Sequence, residues 1–132
     1  MAIVKSLEGI RAPRFGRHCY FSEGAVIVGD VEMGDDCTVW FNTVLRGDVH
    51  FIRVGNRTNI QDNSCIHTLN GKAPCILGDD VTIGHSVTLH GCEVKDGALV
   101  GMGQGPDMYE LAAFLGKEET LRRMWFAINT LG

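Results

Sequence analysis

Aliphatic residues recur along this chain at a spacing that belongs to neither a helix nor a hairpin. Val28, Met33, Val39, Leu45, Val54, Ile60, Ile66, Leu77, Ile83, Leu89, Val94 and Val100 each lead a short unit: the aliphatic, often a glycine, a polar pair, then a small or β-branched residue. "MGDDCT" (33–38), "VGNRTN" (54–59), "LGDDVT" (77–82) and "IGHSVT" (83–88) are examples. Most steps are six residues and two are five; the steps 45 to 54 and 66 to 77 are longer, and the second contains "NGKAP" (70–74), read as an inserted loop. A helix repeats its inward positions at 3.6 residues and a strand at 2. A step of six suits a short strand plus a tight corner, with one aliphatic pointing inward per unit. Three units then close a triangular coil, and stacked coils bury columns of aliphatics. The glycines and Asn/Asp residues supply corner angles that β-branched residues resist. An antiparallel sandwich would instead need longer runs of strict polar/apolar alternation.

The pattern predicts an all-β core, a parallel β-helix of about four coils within a domain spanning 1–103. Naming the walls A, B and C from Val28, wall A leads with Val28, Leu45, Ile66 and Leu89; wall B with Met33, Val54, Leu77 and Val94; wall C with Val39, Ile60, Ile83 and Val100. The residue after the lead on wall A is then Arg46, His67 and His90 in successive coils. Neighbouring strands lie about 4.7–4.9 Å apart, so His67 and His90 are expected side by side, within reach of one metal ion. His85 lies five residues before His90, in a stretch that otherwise reads as strand, and falls on wall C above Asp62. In a three-fold oligomer, wall A of one subunit can face wall C of the next. His85 of a neighbour would then join His67 and His90, and three histidines plus a water make a catalytic zinc-type site. The other reading of His85 is a metal-free base, as in acyl transfer. His18 and His50 fit no such stack and read as ordinary surface or hydrogen-bonded residues.

Composition narrows the rest. The chain has 132 residues and a formal charge of −4, with 17 glycines and only 3 prolines. That is one domain with an ordered, turn-rich fold, and the mild acidity speaks against a nucleic-acid partner. The five cysteines, Cys19, Cys37, Cys65, Cys75 and Cys92, are odd in number and form no CxxC pair. A disulfide framework is not expected, and a reducing, cytoplasmic setting fits. "MAIVKSLEGIRAPRFG" has no apolar core of a signal peptide, and no run of 18 apolar residues spans a membrane.

Three segments, "TVLRGD" (43–48), "TNIQDNSCIH" (58–67) and "GHSVTLHGC" (84–92), closely resemble the γ-class carbonic anhydrase-like family of hexapeptide-repeat proteins, in the family's order and histidine spacing. The resemblance covers about residues 10–103. It implies a left-handed parallel β-helix, an exception to the usual right-handed crossover, assembled as a homotrimer with metal sites between subunits. It further implies that His67 and His90 of one subunit and His85 of the next bind zinc, iron or cobalt, zinc being the first expectation. Asn59 and Gln61 would orient the metal-bound water or bicarbonate. Arg46, Asp48 and Asp62 would form a charged network across the interface. The implied activity is reversible hydration of CO2 by a metal-bound hydroxide. Two departures bear on it: Val49 stands where the archetypal enzyme has a glutamate, and "LNGKAP" (69–74) lacks the acidic residues used there for proton transfer. The other readings are a non-catalytic trimeric metal-binding or assembly module and, behind it, a hexapeptide-repeat acyltransferase.

After "LVGMG" (99–103) the repeat stops. Pro106 and Asp107 read as a helix start, Gly116 as its stop, and Lys117 to Thr130 as a second helix with Leu121, Met124, Trp125, Ile128 and Leu131 on one face. This tail, 104–132, is expected to cap the open end of the coil or pack on its side.

Overall fold

The computed structural model describes residues 1–101, and the expected helical tail lies outside the described residues. Within them the chain is all β and forms a parallel solenoid. Its strands, in order, are β1 Ile3–Lys5, β2 Arg14–Phe15, β3 Tyr20–Phe21, β4 Val26–Met33, β5 Thr38–Val39, β6 Val44–Val54, β7 Asn59–Ile60, β8 Cys65–His67, β9 Cys75–Leu77, β10 Thr82–Ile83, β11 Thr88–His90, β12 Glu93–Val94 and β13 Leu99–Val100. Wall A runs β1-β4-β6-β8-β11, wall B is built by β2, the ends of β4 and β6, β9 and β12, and wall C runs β3-β5-β7-β10-β13.

The aliphatic columns follow the predicted register on walls B and C. Met33, Val54, Leu77 and Val94 pair in sequence, as do Val39, Ile60, Ile83 and Val100. On wall A the first lead is Ile27, not Val28. Ile27 pairs with Leu45 and is fully buried, while Val28 pairs with Arg46. The shift removes one five-residue step, because Ile27 to Met33 is again six. The solenoid also begins one coil earlier than the repeat suggested. Val4 pairs with Ile27, Phe15 with Met33 and Phe21 with Val39, giving about five turns. The aromatic leads and the 11-residue step from Val4 to Phe15 hid this coil from a search for aliphatics six apart.

The corners explain the small and polar residues of the repeat. At the corner between walls B and C, Asx side chains form a ladder. Asp35 Oδ1 accepts the Arg17 N–H at 2.7 Å, Asn56 Oδ1 the Asp35 N–H at 2.8 Å, Asp79 Oδ1 the Asn56 N–H at 2.7 Å, and Asp96 Oδ1 the Asp79 N–H at 2.8 Å. The glycine before each rung is required by space. A Cβ on Gly34, Gly55 or Gly78 would overlap the Asx oxygen and backbone of the following coil. The residue after each corner position takes a left-handed conformation, His18 after Arg17, and Asp36, Arg57, Asp80 and Gly97 after the four Asx residues, as a two-residue corner demands. Next to it, Cys37 Sγ donates to the Gly55 carbonyl at 3.0 Å and Thr58 Oγ1 to the Gly78 carbonyl at 2.8 Å. Cys19, whose Sγ donates to the Gly34 carbonyl at 3.1 Å, Cys37 and Thr58 thus occupy one column of small donors, half-buried at Cys19 and buried at the other two.

The corner between walls A and B is irregular. From wall-A lead to wall-B lead the chain takes 6, 9, 11 and 5 residues in successive coils (Ile27–Met33, Leu45–Val54, Ile66–Leu77, Leu89–Val94), whereas the steps across the other two corners are six. The extra residues form the Asp48–Phe51 bulge and the 68–74 loop, which is closed by a Leu69–Ala73 bridge. No helix of the described residues is long and apolar enough to cross a membrane.

Candidate metal and anion site

Arg46, His67 and His90 occupy equivalent positions on three consecutive wall-A strands. The His67 and His90 rings stack with centroids 5.1 Å apart and planes within 10°. Asp48, on the bulge beside them, binds two of the three groups together. Its Oδ1 lies 2.9 Å from His67 Nε2 and accepts the Val49 N–H at 2.8 Å, while Oδ2 takes Arg46 at 2.6 Å. Burial pushes the Asp48 carboxyl up, but the His67, Val49 and Arg46 bonds outweigh it and hold the group below the usual carboxylate value. His90 Nε2 faces the Thr68 carbonyl at 3.1 Å. Each imidazole of the stack therefore has one nitrogen bonded to an acceptor. In a neutral ring this leaves the other nitrogen with its lone pair.

The remaining residues stand on wall C. His85 is not in a strand; it is the first residue of a two-residue corner, followed by Ser86 at φ 55°. Its Nδ1 lies 3.2 Å from Asp62 Oδ1, one coil below, and its side chain is 65% exposed. His85, Asp62, Gln61, Asn59 and Trp40 together line a cavity of about 230 Å³. Gln61 Oε1 is buried there without a hydrogen-bond partner. Asn59 Oδ1 is held from two sides, by Trp40 Nε1 and by Thr38 Oγ1, each at 2.7 Å.

The eight sequence-predicted residues thus divide into two groups on two walls. One holds Arg46, Asp48, His67 and His90, and the other Asn59, Gln61, Asp62 and His85. Among the described residues of one chain, no three His, Cys, Asp or Glu side chains gather as a metal-binding group. The donor chemistry of the two groups fits a divalent cation: two stacked imidazoles oriented by Asp48 and the Thr68 carbonyl, and a third oriented by Asp62, the carboxylate–histidine pattern of zinc sites.

Sequence reading missed Trp40 and Thr38. The signal was present, because the rule that aligned Arg46, His67 and His90 places Trp40 beside Gln61, and Thr38 beside Asn59, on wall C. The cysteines carry no disulfide among the described residues. Cys75 and Cys92 stand with sulfurs 3.9 Å apart at the A/B corner, and the neighbouring thiol together with burial pushes the Cys75 thiol strongly upward.

The repeat region has relatives among known proteins. The mitochondrial γ carbonic anhydrase 1 of Arabidopsis thaliana is 47% identical over 98 residues, which are 70% of this chain and 36% of that protein. A carbonic anhydrase of Geobacillus kaustophilus is 44% identical over 93 residues, 70% of this chain and 50% of that protein. The chain therefore spans about half or less of the length of these relatives. Among solved structures, a hexapeptide transferase family protein from Anaplasma phagocytophilum matches with TM-score 0.70 and 42% identity, over 76% of this chain and 58% of that one. A family model for an anticodon binding domain matches residues 97–128, reaching the solenoid only at its last strand. In its repeat region the chain resembles the γ-class carbonic anhydrase-like family of hexapeptide-repeat proteins, on sequence identity and fold together.

Proposed function

We propose that this chain is the metal-binding subunit of a cytoplasmic carbonic anhydrase-type homotrimer that hydrates CO2 reversibly to bicarbonate. The observation that carries the reading is the division of the site. Two imidazoles on wall A and one on wall C, each oriented by an acceptor, make complementary parts of a three-histidine set that one chain does not assemble. A neighbouring subunit supplying His85 to His67 and His90 completes it, and the relatives named as carbonic anhydrases support the activity. Zinc is the metal that such a set suits best, and bound there it lowers the pKa of water enough to supply a nucleophile near neutral pH. The protein's part is positional. Asp48, itself held by Arg46 and the Val49 N–H, fixes the His67 ring through Nε2 and leaves Nδ1 as the nitrogen that would hold the metal. Asn59 offers a fixed amide to the reacting oxygen atoms, and Gln61 lines the same cavity beside it.

Metal content and CO2 hydration measured on the wild type, His85→Ala, His67→Ala and a co-refolded mixture of the two variants test this. Each variant alone is expected to lose most of its metal. The mixture is expected to regain part of it, because His67→Ala chains still offer His85 and His85→Ala chains still offer the stack. Metal retained by His85→Ala, or a monomer in sedimentation, overturns the shared site. Val49, 42% exposed on the bulge where the archetype has an acid, favours a second reading, a trimeric metal-binding module without catalysis. Bound metal with no rate above buffer selects that one.

A further inference from the structure

The indole of Trp40 has a role that the three-histidine reading does not require. Trp40 Nε1 can only donate. It lies 2.7 Å from Asn59 Oδ1 and 3.3 Å from Thr38 Oγ1, and the Thr38 hydroxyl donates to the same Asn59 oxygen at 2.7 Å. Two donors on one carbonyl oxygen fix which end of the amide faces inward. Rotating the carboxamide by 180° would set Nδ2 against the indole N–H, donor against donor; the Thr38 hydroxyl could turn to accept from Nδ2, but the indole cannot, so Trp40 decides the orientation. Asn59 therefore presents Nδ2, a pure donor, on the side away from Trp40. The indole is itself held in place, with Tyr20 at 5.6 Å and Phe41 at 6.2 Å between ring centroids. Gln61, one coil above Trp40 on the same wall, has no such clamp, and its buried Oε1 is unpartnered.

From this geometry we infer that Trp40, assisted by Thr38, is a positioning residue that polarises the pocket by holding Asn59 as a hydrogen-bond donor toward an acceptor oxygen of the ligand. The inference rests on the proposed role of Asn59 and deepens it. The ligand side it names is an oxyanion or carbonyl oxygen rather than an O–H or N–H donor. Trp40 touches no reacting atom and acts through Asn59.

A double-mutant cycle with an independent spectroscopic readout tests it. Trp40→Phe keeps the aromatic packing and removes the N–H. On the wild-type background it is expected to lower kcat/KM by roughly three- to tenfold, the range for one net hydrogen bond, with metal content unchanged. On an Asn59→Ala background the same substitution is expected to change kcat/KM by less than about twofold, because the group it orients is gone. Equal losses on both backgrounds, or no loss in Trp40→Phe, overturn the inference. Side-chain amide resonances of Asn59 in the metal-free protein give a result whether or not the chain turns over. Two distinct, slowly interchanging Nδ2 protons are expected in the wild type, and a shifted or exchange-broadened pair in Trp40→Phe. An Asn59 amide unchanged by Trp40→Phe sinks this inference while leaving the carbonic anhydrase reading standing. Absence of metal and activity in the wild type with the amide response intact sinks only that reading.

Discussion

Single side chains in this solenoid are held by partners one coil away, and Asp30 shows how much one such contact carries. Its Oδ1 takes Arg53 at 2.9 Å and Arg14 at 3.2 Å, from the coils on either side. Glu32 backs the same two guanidinium groups, and Arg53 lies over the Phe51 ring. Burial raises the Asp30 carboxyl, but the two arginines outweigh it and hold the group below its ordinary value. A depressed carboxylate contributes stability that is full above the unfolded value of about 3.9 and disappears as pH falls through the folded value. Asp30→Asn is therefore expected to cost about 1–3 kcal/mol at pH 7, and the gap to wild type is expected to close on acidification below about pH 4. Urea unfolding of both proteins across pH 2–7 measures it, and a gap independent of pH contradicts the assignment. The histidines were the most legible residues in the sequence, since an aliphatic column fixes the side on which the next residue emerges. Asp30 was not legible, because its partners lie 16 and 23 residues away at unequal spacing.

The element of this fold is the corner as much as the strand. Most strands are two or three residues long, too short to define register by pairing alone, so the Asx ladder and the glycines beneath it carry that task. Gly55→Ala would drive a methyl against Asp79 and the Gly78 peptide. The expected cost is about 1–3 kcal/mol, with Asp79→Ala costing about 1 kcal/mol by leaving the half-buried Asn56 N–H without its acceptor. The two changes made together should cost less than their sum, since the alanine at 79 relieves part of the clash. Thermal unfolding of the four proteins decides this, and strict additivity would show that Asp79 does not set the fit. The repeat unit made these corners readable. It did not reveal the first coil, where Phe15 and Phe21 break the aliphatic rule and the step from Val4 to Phe15 breaks the spacing. It did place His85 on wall C above Asp62, and the structure sets it at the first residue of the corner that follows β10.

At the scale of the whole molecule each coil touches only the coils before and after it, so stability is expected to be graded along the axis. The middle leads Leu45, Ile66, Ile60 and Ile83 are fully buried, while Val4 in the first coil is half exposed and Leu89 and Val100 in the last are partly so. Amide exchange should be slowest for Val44, Asn59 and Cys65, whose N–H groups bond the next coil at 2.8–2.9 Å, and should quicken toward β1 and β13. Uniform protection from end to end would instead mark one all-or-none unit. The aliphatic columns announced a stack, and no column announces how many coils a chain needs to be stable.

The uneven A/B corner has a consequence for change over time. Excursions of 9 and 11 residues between wall A and wall B return to the same register as one of 6, because the Asx ladder at the following corner re-indexes the chain. Insertions and deletions there stay local. The histidine stack borders that corner, so the wall beside a demanding site is also the one where new length is most easily tried. A scaffold of this kind can vary what surrounds its chemistry while its frame stays fixed.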